Sequence, residues 1–170
     1  KVFDFLPGAD KILQKGRTNK YDFAISVDCS DLKRLVGGKE YFETAKRTIE
    51  IDHHSVNSMF ADFNYVDPVA PACCQVLIWM FEYFGIDIDK ELGTCLLTGI
   101  ITDTGGFQYS SVTSDTFEFA AQLLRKGVNI SKICQEVLRT KTKAHCQLEK
   151  LIYERLEFIE NGKIAITYLT

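Results

Sequence analysis

The chain has 170 residues, 46% of them hydrophobic and 25% charged, with a formal net charge of −3 at pH 7. That length and apolar content suffice for an ordinary buried core without disulfide staples, and the slight acidity excludes a global basic field for duplex nucleic acid, so any nucleotide must be held by local groups. Six cysteines, Cys29, Cys73, Cys74, Cys95, Cys134 and Cys146, form no C-x-x-C pair and no framework spacing, which reads as reduced thiols in a cytoplasmic protein. No apolar run has the length of a membrane span and the N-terminus lacks a signal-peptide pattern, so no membrane partner is expected.

In chain order, Pro7-Gly8 marks a turn and a short helix is expected over 9–14. Residues 22–27, Asp-Phe-Ala-Ile-Ser-Val, form the first expected strand, ending at Asp28-Cys29-Ser30-Asp31. A helix over 38–46 leads to the run Thr48-Ile49-Glu50-Ile51-Asp52-His53-His54-Ser55, where a β-type stretch ends in an acid and two of the three histidines. Strand, helix, strand at this spacing is a β-α-β unit, and a right-handed crossover turns both strand C-termini toward one rim. Asp28 and the Asp52-His53-His54 cluster are expected to share that rim, where open α/β sheets place their chemistry.

A short strand is expected within 60–67, before Pro68 and Pro71, and a helix over 72–84 is closed by Gly85. Its Val76-Leu77-Ile78-Trp79-Met80-Phe81 run is apolar on nearly every face, which reads as core, with a homodimer contact as the alternative. Asp89 caps the next helix, whose buried stripe is read as Leu92, Cys95, Leu96, Gly99 and Ile100. This helix runs into Thr102-Asp103-Thr104-Gly105-Gly106-Phe107; the paired glycines permit close backbone approach, although spacing alone equally allows Asp103 to cap a turn. Helices are expected over 113–126, 130–138 and 142–156, the last with an apolar stripe of Ala144, Leu148, Leu151, Ile152 and Leu156. The turn Asn161-Gly162 and a strand over 163–169 then open a second α/β domain.

Three acidic points therefore stand at element ends: Asp28, Asp52 with its histidines, and Asp103. Carboxylates gathered without counter-charge repel one another, and such a gathering usually takes a cation. A mixed carboxylate and imidazole shell suits Mn²⁺, and less selectively Mg²⁺, Fe²⁺ or Co²⁺.

At this point the chain resembles the DHH phosphoesterase family. The resemblance lies in Ala24-Ile25-Ser26-Val27-Asp28-Cys29-Ser30-Asp31 with Arg34-Leu35, in Ile51-Asp52-His53-His54, and in Gly99-Ile100-Ile101-Thr102-Asp103-Thr104-Gly105-Gly106-Phe107. Within the family it looks most like the short cytoplasmic branch that degrades very short oligoribonucleotides and dephosphorylates 3′-phosphoadenosine 5′-phosphate (pAp). The resemblance implies a parallel-sheet, three-layer α/β/α (Rossmann-like) domain over 1–126, a helical linker over 127–145, and the start of a C-terminal substrate-binding domain over 146–170. It implies a two-metal Mn²⁺ site in which Asp28 bridges the ions and His53 and Asp103 are ligands. His54 would face the substrate phosphate, and Asp52 would orient the histidine pair. His145 matches no motif and is expected on a helix surface. The family's first motif, a His followed by two Asp residues, is expected upstream of Lys1, and its Gly-Gly-Gly-His loop downstream of Thr170, so the chain reads as an internal fragment that is inactive alone.

The expected reaction is hydrolysis of short RNA or pAp by metal-activated water. Two alternatives stay open: a dinucleotide phosphodiesterase or pyrophosphatase of the same superfamily, and a non-catalytic nucleotide-binding domain.

Overall fold

β-branched and aromatic residues build three short parallel strands, β1 (Phe23–Val27), β2 (Arg47–Asp52) and β3 (Phe63–Val66), in the order β1-β2-β3. The computed structural model describes residues 2–13, 16 and 20–168. Register pairs Ile25 with Ile49, Val27 with Ile51, and Ile51 with Tyr65, so these side chains share one face of the sheet. On that face Ile49 and Ile51 pack under Ala70, Cys73, Val76, Leu77, Trp79 and Met80. The opposite face is polar where it is buried: Ser26 on β1, and Glu50 and Asp52 on β2, are at most 3% exposed. The crossover between β1 and β2 carries α1 (Lys39–Thr44), as the β-α-β reading requires.

Helix α2 (Cys73–Tyr83) is the expected core element. It lies between the sheet, which it meets through Cys73 and Val76, and a helical cluster that it joins through Ile78. That cluster draws Leu96, Leu97, Ile100 and Ile101 from α3 (Lys90–Asp103), Phe119, Ala120 and Leu123 from α4 (Ser114–Arg125), and Ile133 from α5 (Ile130–Cys134). Asp89 caps α3 as expected, its carboxylate accepting the Leu92 N–H at 2.8 Å. Of the expected α3 stripe, Leu96 and Ile100 are buried while Leu92, Cys95 and Gly99 are half-buried, and the buried face also takes in Gly93, Leu97, Thr98 and Ile101, because α2, α4 and α5 all pack on it.

One glycine sets the α2–α3 approach. A methyl group at Gly99 would overlap Cys74 Sγ and lie 3.1 Å from Cys74 Cβ. Gly99→Ala gains about 1 kcal/mol of helix propensity but overpacks this contact, at a cost of about 1–3 kcal/mol. Urea unfolding is expected to show a lower midpoint for the variant; a midpoint at or above that of the wild type contradicts the close approach.

At its other end α3 stops on Gly105 (φ 58°) and Gly106 (φ 71°), with Gly106 N–H donating to Ile101 O at 2.8 Å. The paired glycines thus satisfy the last carbonyls of the helix. Gly105 also leaves room for the Tyr109 ring, which a β-carbon would meet at 2.6 Å.

Some expectations need correction. The helix expected over 9–14 is a single 3₁₀ turn, Ala9–Lys11, following Gly8 at φ 79°, and Gln14 lies outside the described residues. The segment 130–138 is α5 followed by a π-type turn at Gln135–Arg139.

By its contacts the chain divides into Lys1–Leu138 and Arg139–Thr170. The second unit holds α6 (Lys143–Glu154), capped by Thr142 Oγ1 on the His145 N–H, and an antiparallel pair, β4 (Glu157–Ile159) and β5 (Ile164–Ile166). Glu160, Asn161 and Gly162 turn the pair at φ 51°, 56° and 83°. The apolar stripe expected on α6 is there by periodicity but not buried: none of the residues in α6, β4 or β5 is buried.

Candidate functional site

Parallel pairing extends one residue past β1, where Asp28 N–H donates to Ile51 O at 3.0 Å. Asp28 then takes φ 60°, a left-handed conformation uncommon for a residue other than glycine, and turns the chain at the sheet rim. On the neighbouring strand β2 ends at Asp52, so His53 and His54 emerge at the same rim. Asp103, the last residue of α3, reaches it from the helical side.

The four side chains meet there. His53 Nε2 is 3.3 Å from Asp28 Oδ1 and 3.7 Å from Asp103 Oδ2, and His54 Nδ1 is 3.9 Å from Asp28 Oδ1. The two imidazoles are tilted at 58° with centroids 4.9 Å apart. Ligand atoms of Asp28, His53 and His54 lie within 4.8 Å of one another, a spacing that a metal ion fits. Asp103 stands just outside this triad. Every ion pair at the rim joins a carboxylate to an imidazole.

His53 Nδ1 lies 3.1 Å from Ala70 O, an acceptor that fixes the proton on that nitrogen. Nε2 therefore faces Asp28 and Asp103 with its lone pair unless a cation, either a proton or a metal ion, lies between them. The pKa directions express the same shortage of positive charge. Hydrogen bonding to Asp28 holds the His53 imidazole above its ordinary value, with burial opposing and the Ala70 carbonyl reinforcing. Burial pushes the Asp103 carboxyl up, and the negative charge of Asp28 adds to this against the two imidazoles. A divalent cation would relieve both shifts, and carboxylate oxygen with imidazole nitrogen is a donor set suited to Mn²⁺ or a related ion. Cys73 and Cys74 lie near the rim, but burial pushes both thiols up to about 12, and the Cys73 thiol is turned inward to donate to Ile51 O at 3.3 Å.

Asp52 sits behind the rim at 0% exposure, and its Oδ1 receives His54 Nδ1 at 2.7 Å. Burial works against its ionisation. Hydrogen bonds from the His54 ring, the His53 backbone and the Asn57 side chain outweigh that effect and hold the carboxyl below its ordinary value. Nδ1 of His54 is thus occupied, which leaves Nε2 for a partner outside. The structure brings together Asp28, His53, His54, Asp103 and Asp52. His145 belongs to the second unit, on the surface of α6 beside Glu149 at 3.3 Å.

Sequence reasoning missed Glu50, Asn57 and the Ala70 carbonyl. Glu50 was accessible to it: it alternates with Asp52 along β2, so both acids point to one face of a central strand and require donors. Nothing in the sequence distinguishes Asn57 from an ordinary loop asparagine.

Comparison with known proteins places this geometry. Over 145 residues, 85% of this chain and 43% of the relative, the chain is 28% identical to the bifunctional oligoribonuclease and PAP phosphatase NrnA of Thermus thermophilus. Over 114 residues, 67% of this chain and 34% of the relative, it is 34% identical to the uncharacterized protein MG371 homolog of Mycoplasma pneumoniae. The chain spans less than half the length of these curated relatives. In fold it matches the crystal structure of an exopolyphosphatase-related protein from Bacteroides fragilis, with a TM-score of 0.87 at 23% identity, covering 99% of this chain and 53% of the other. The parallel α/β architecture expected from the sequence is thus the architecture found. Residues 3–100 match the DHH family, N-terminal domain. With a rim of Asp28, His53, His54 and Asp103 on that fold, and a family match across more than half of its residues, the chain belongs to the DHH family.

Proposed function

We propose that this chain is the cation-holding part of a phosphoesterase that hydrolyses short oligoribonucleotides and pAp. The observation that carries the reading is the convergence of Asp28, His53 and Asp103, from two strand ends and a helix end, around His53 Nε2. The likeness to an oligoribonuclease and PAP phosphatase over most of the chain supports the substrate class.

Asp28, His53 and Asp103 would hold divalent cations, with Mn²⁺ as the proposed ion and Asp28 shared between two of them. When bound, such ions lower the pKa of a water and polarise a phosphoryl oxygen. The chain's own residues do the rest. Ala70 O keeps the His53 proton on Nδ1, so Nε2 is the ligating nitrogen. Asp52 engages His54 through Nδ1 and leaves Nε2 facing outward, where a substrate phosphate would be held. The six unpaired thiols support a cytoplasmic setting. Among the described residues no helix is long and apolar enough to cross a membrane.

The test is a panel assay with the full-length protein and Mn²⁺. Phosphate release from pAp and mononucleotide release from short RNA are expected, both abolished by EDTA, with little or no turnover of pyrophosphate or cyclic dinucleotides. Failure to hydrolyse both pAp and short RNA overturns the reading. Turnover of pyrophosphate alone would keep the site and change the substrate.

A further inference from the structure

Beneath the rim lie two carboxylates with no exposed surface, Glu50 and Asp52, on the same face of β2. Polar groups in such a place need hydrogen-bond partners. One side chain serves both. Asn57 Nδ2 donates to Glu50 Oε1 at 2.6 Å and to Asp52 Oδ2 at 2.7 Å, while its Oδ1 accepts the Met59 N–H at 2.6 Å. These three contacts fix the amide orientation: the reverse would set its oxygen against two carboxylates and its NH₂ against an N–H donor.

Each acid is then completed from elsewhere. The second oxygen of Glu50 receives the Phe60 N–H at 3.3 Å, and the second oxygen of Asp52 receives His54 Nδ1 at 2.7 Å. The order Glu50, Asn57, Asp52, His54 is a continuous hydrogen-bonded line from the middle of the sheet to the rim. The loop that carries Asn57 is itself tied to the segment after Asp28, since Ser58 N–H and Oγ–H both donate to Ser30 O, at 3.0 and 3.1 Å.

We infer that Asn57 is a positioning residue that acts through Asp52 to fix the orientation of His54. This rests on the role proposed above for His54. Without the Asn57 NH₂, the Asp52 carboxylate loses the contact that sets its plane and faces Glu50 with no shared donor, so the acceptor offered to His54 is no longer fixed. The side chains of the cation ligands Asp28, His53 and Asp103 are not on this line; His53 meets it only through its backbone N–H on Asp52, while its ring is held by Ala70 O.

The inference is tested in the full-length protein by a double-mutant cycle on pAp hydrolysis with Asn57→Ala, His54→Ala and their combination. Asn57→Ala is expected to lower kcat about tenfold to a hundredfold, with KM and Mn²⁺ affinity within about threefold of wild type. In the His54→Ala background the same change is expected to cost less than about threefold. Multiplying losses, or an Mn²⁺ affinity that falls in step with kcat, overturns the inference. If Asn57→Ala does not fold, Asn57→Ser, whose hydroxyl still serves one carboxylate, enters the cycle with the same expectation.

A readout independent of turnover is the His54 Nδ1–H resonance, assigned by its loss in His54→Ala. It is expected to be sharp in wild type and broadened or lost in the Asn57 variants, and an unchanged signal overturns the inference. An inactive wild type defeats the functional reading, whereas an active wild type with multiplying losses defeats only the role of Asn57.

Discussion

Asp28→Asn is expected to lower turnover of pAp and short RNA by about three orders of magnitude or more, equivalent to several kcal/mol of lost charge stabilisation. Asp28 is the carboxylate that faces both imidazoles, at 3.3 Å from His53 Nε2 and 3.9 Å from His54 Nδ1. Asparagine is chosen because it tolerates the left-handed φ of 60° at this position and keeps the side-chain shape. The fold should therefore survive while the charge is lost. Steady-state kinetics, with isothermal calorimetry of Mn²⁺ and a thermal melt on the same samples, check this: activity and cation binding should fall together and the melt should stay close to wild type. A variant that binds Mn²⁺ normally and retains substantial turnover contradicts the role given to Asp28.

Asp52→Asn is expected to be the most destabilising of the conservative changes at the site, at about 2–5 kcal/mol. Both Asp52 oxygens accept, Oδ1 from His54 Nδ1 and Oδ2 from Asn57 Nδ2. An amide there must turn an NH₂ toward one of two donors at a fully buried position. The pH dependence separates this from simple loss of packing. Because the folded structure holds the Asp52 carboxyl below the ordinary 3.8, its contribution to stability is complete above that value and is lost as the pH falls through the lowered value. Urea unfolding from about pH 7 down to about pH 2.5 should show a large gap between wild type and variant near neutrality that narrows at the acid end. A gap of constant size across the range contradicts the assignment of this stability to the ionised carboxylate.

What the sequence disclosed at this site, and what it did not, divides along the kind of interaction involved. Asp28, His53 and Asp103 were legible because strand ends, helix ends and the handedness of a β-α-β crossover are set by local pattern, and these place the three residues on one rim. The rim itself was legible for the same reason. The hydrogen bonds that orient the histidines were not. Ala70 O and Asn57 Nδ2 come from irregular segments whose path depends on packing against α2 and the sheet, and no periodicity marks a carbonyl or an amide as the one that will be used. Asp103 shows the intermediate case. Its place beside Gly105-Gly106 was readable, but the function of the glycines in ending α3 emerges only from the Gly106 to Ile101 hydrogen bond. In the second unit the α6 stripe was correctly periodic, yet Leu148 and Leu151 remain 44% and 42% exposed, because periodicity names an apolar face without naming what covers it.

The central claim is that Asp28, His53 and Asp103 form one site for divalent cations. A crystal of the full-length protein grown with Mn²⁺ and measured at the manganese edge tests it most directly. The account predicts an anomalous peak at about 2.2 Å from a carboxylate oxygen of Asp28 and from His53 Nε2, with Asp103 ligating the same ion or its neighbour. Manganese bound elsewhere, with His53 Nε2 still hydrogen-bonded to Asp28, would contradict it.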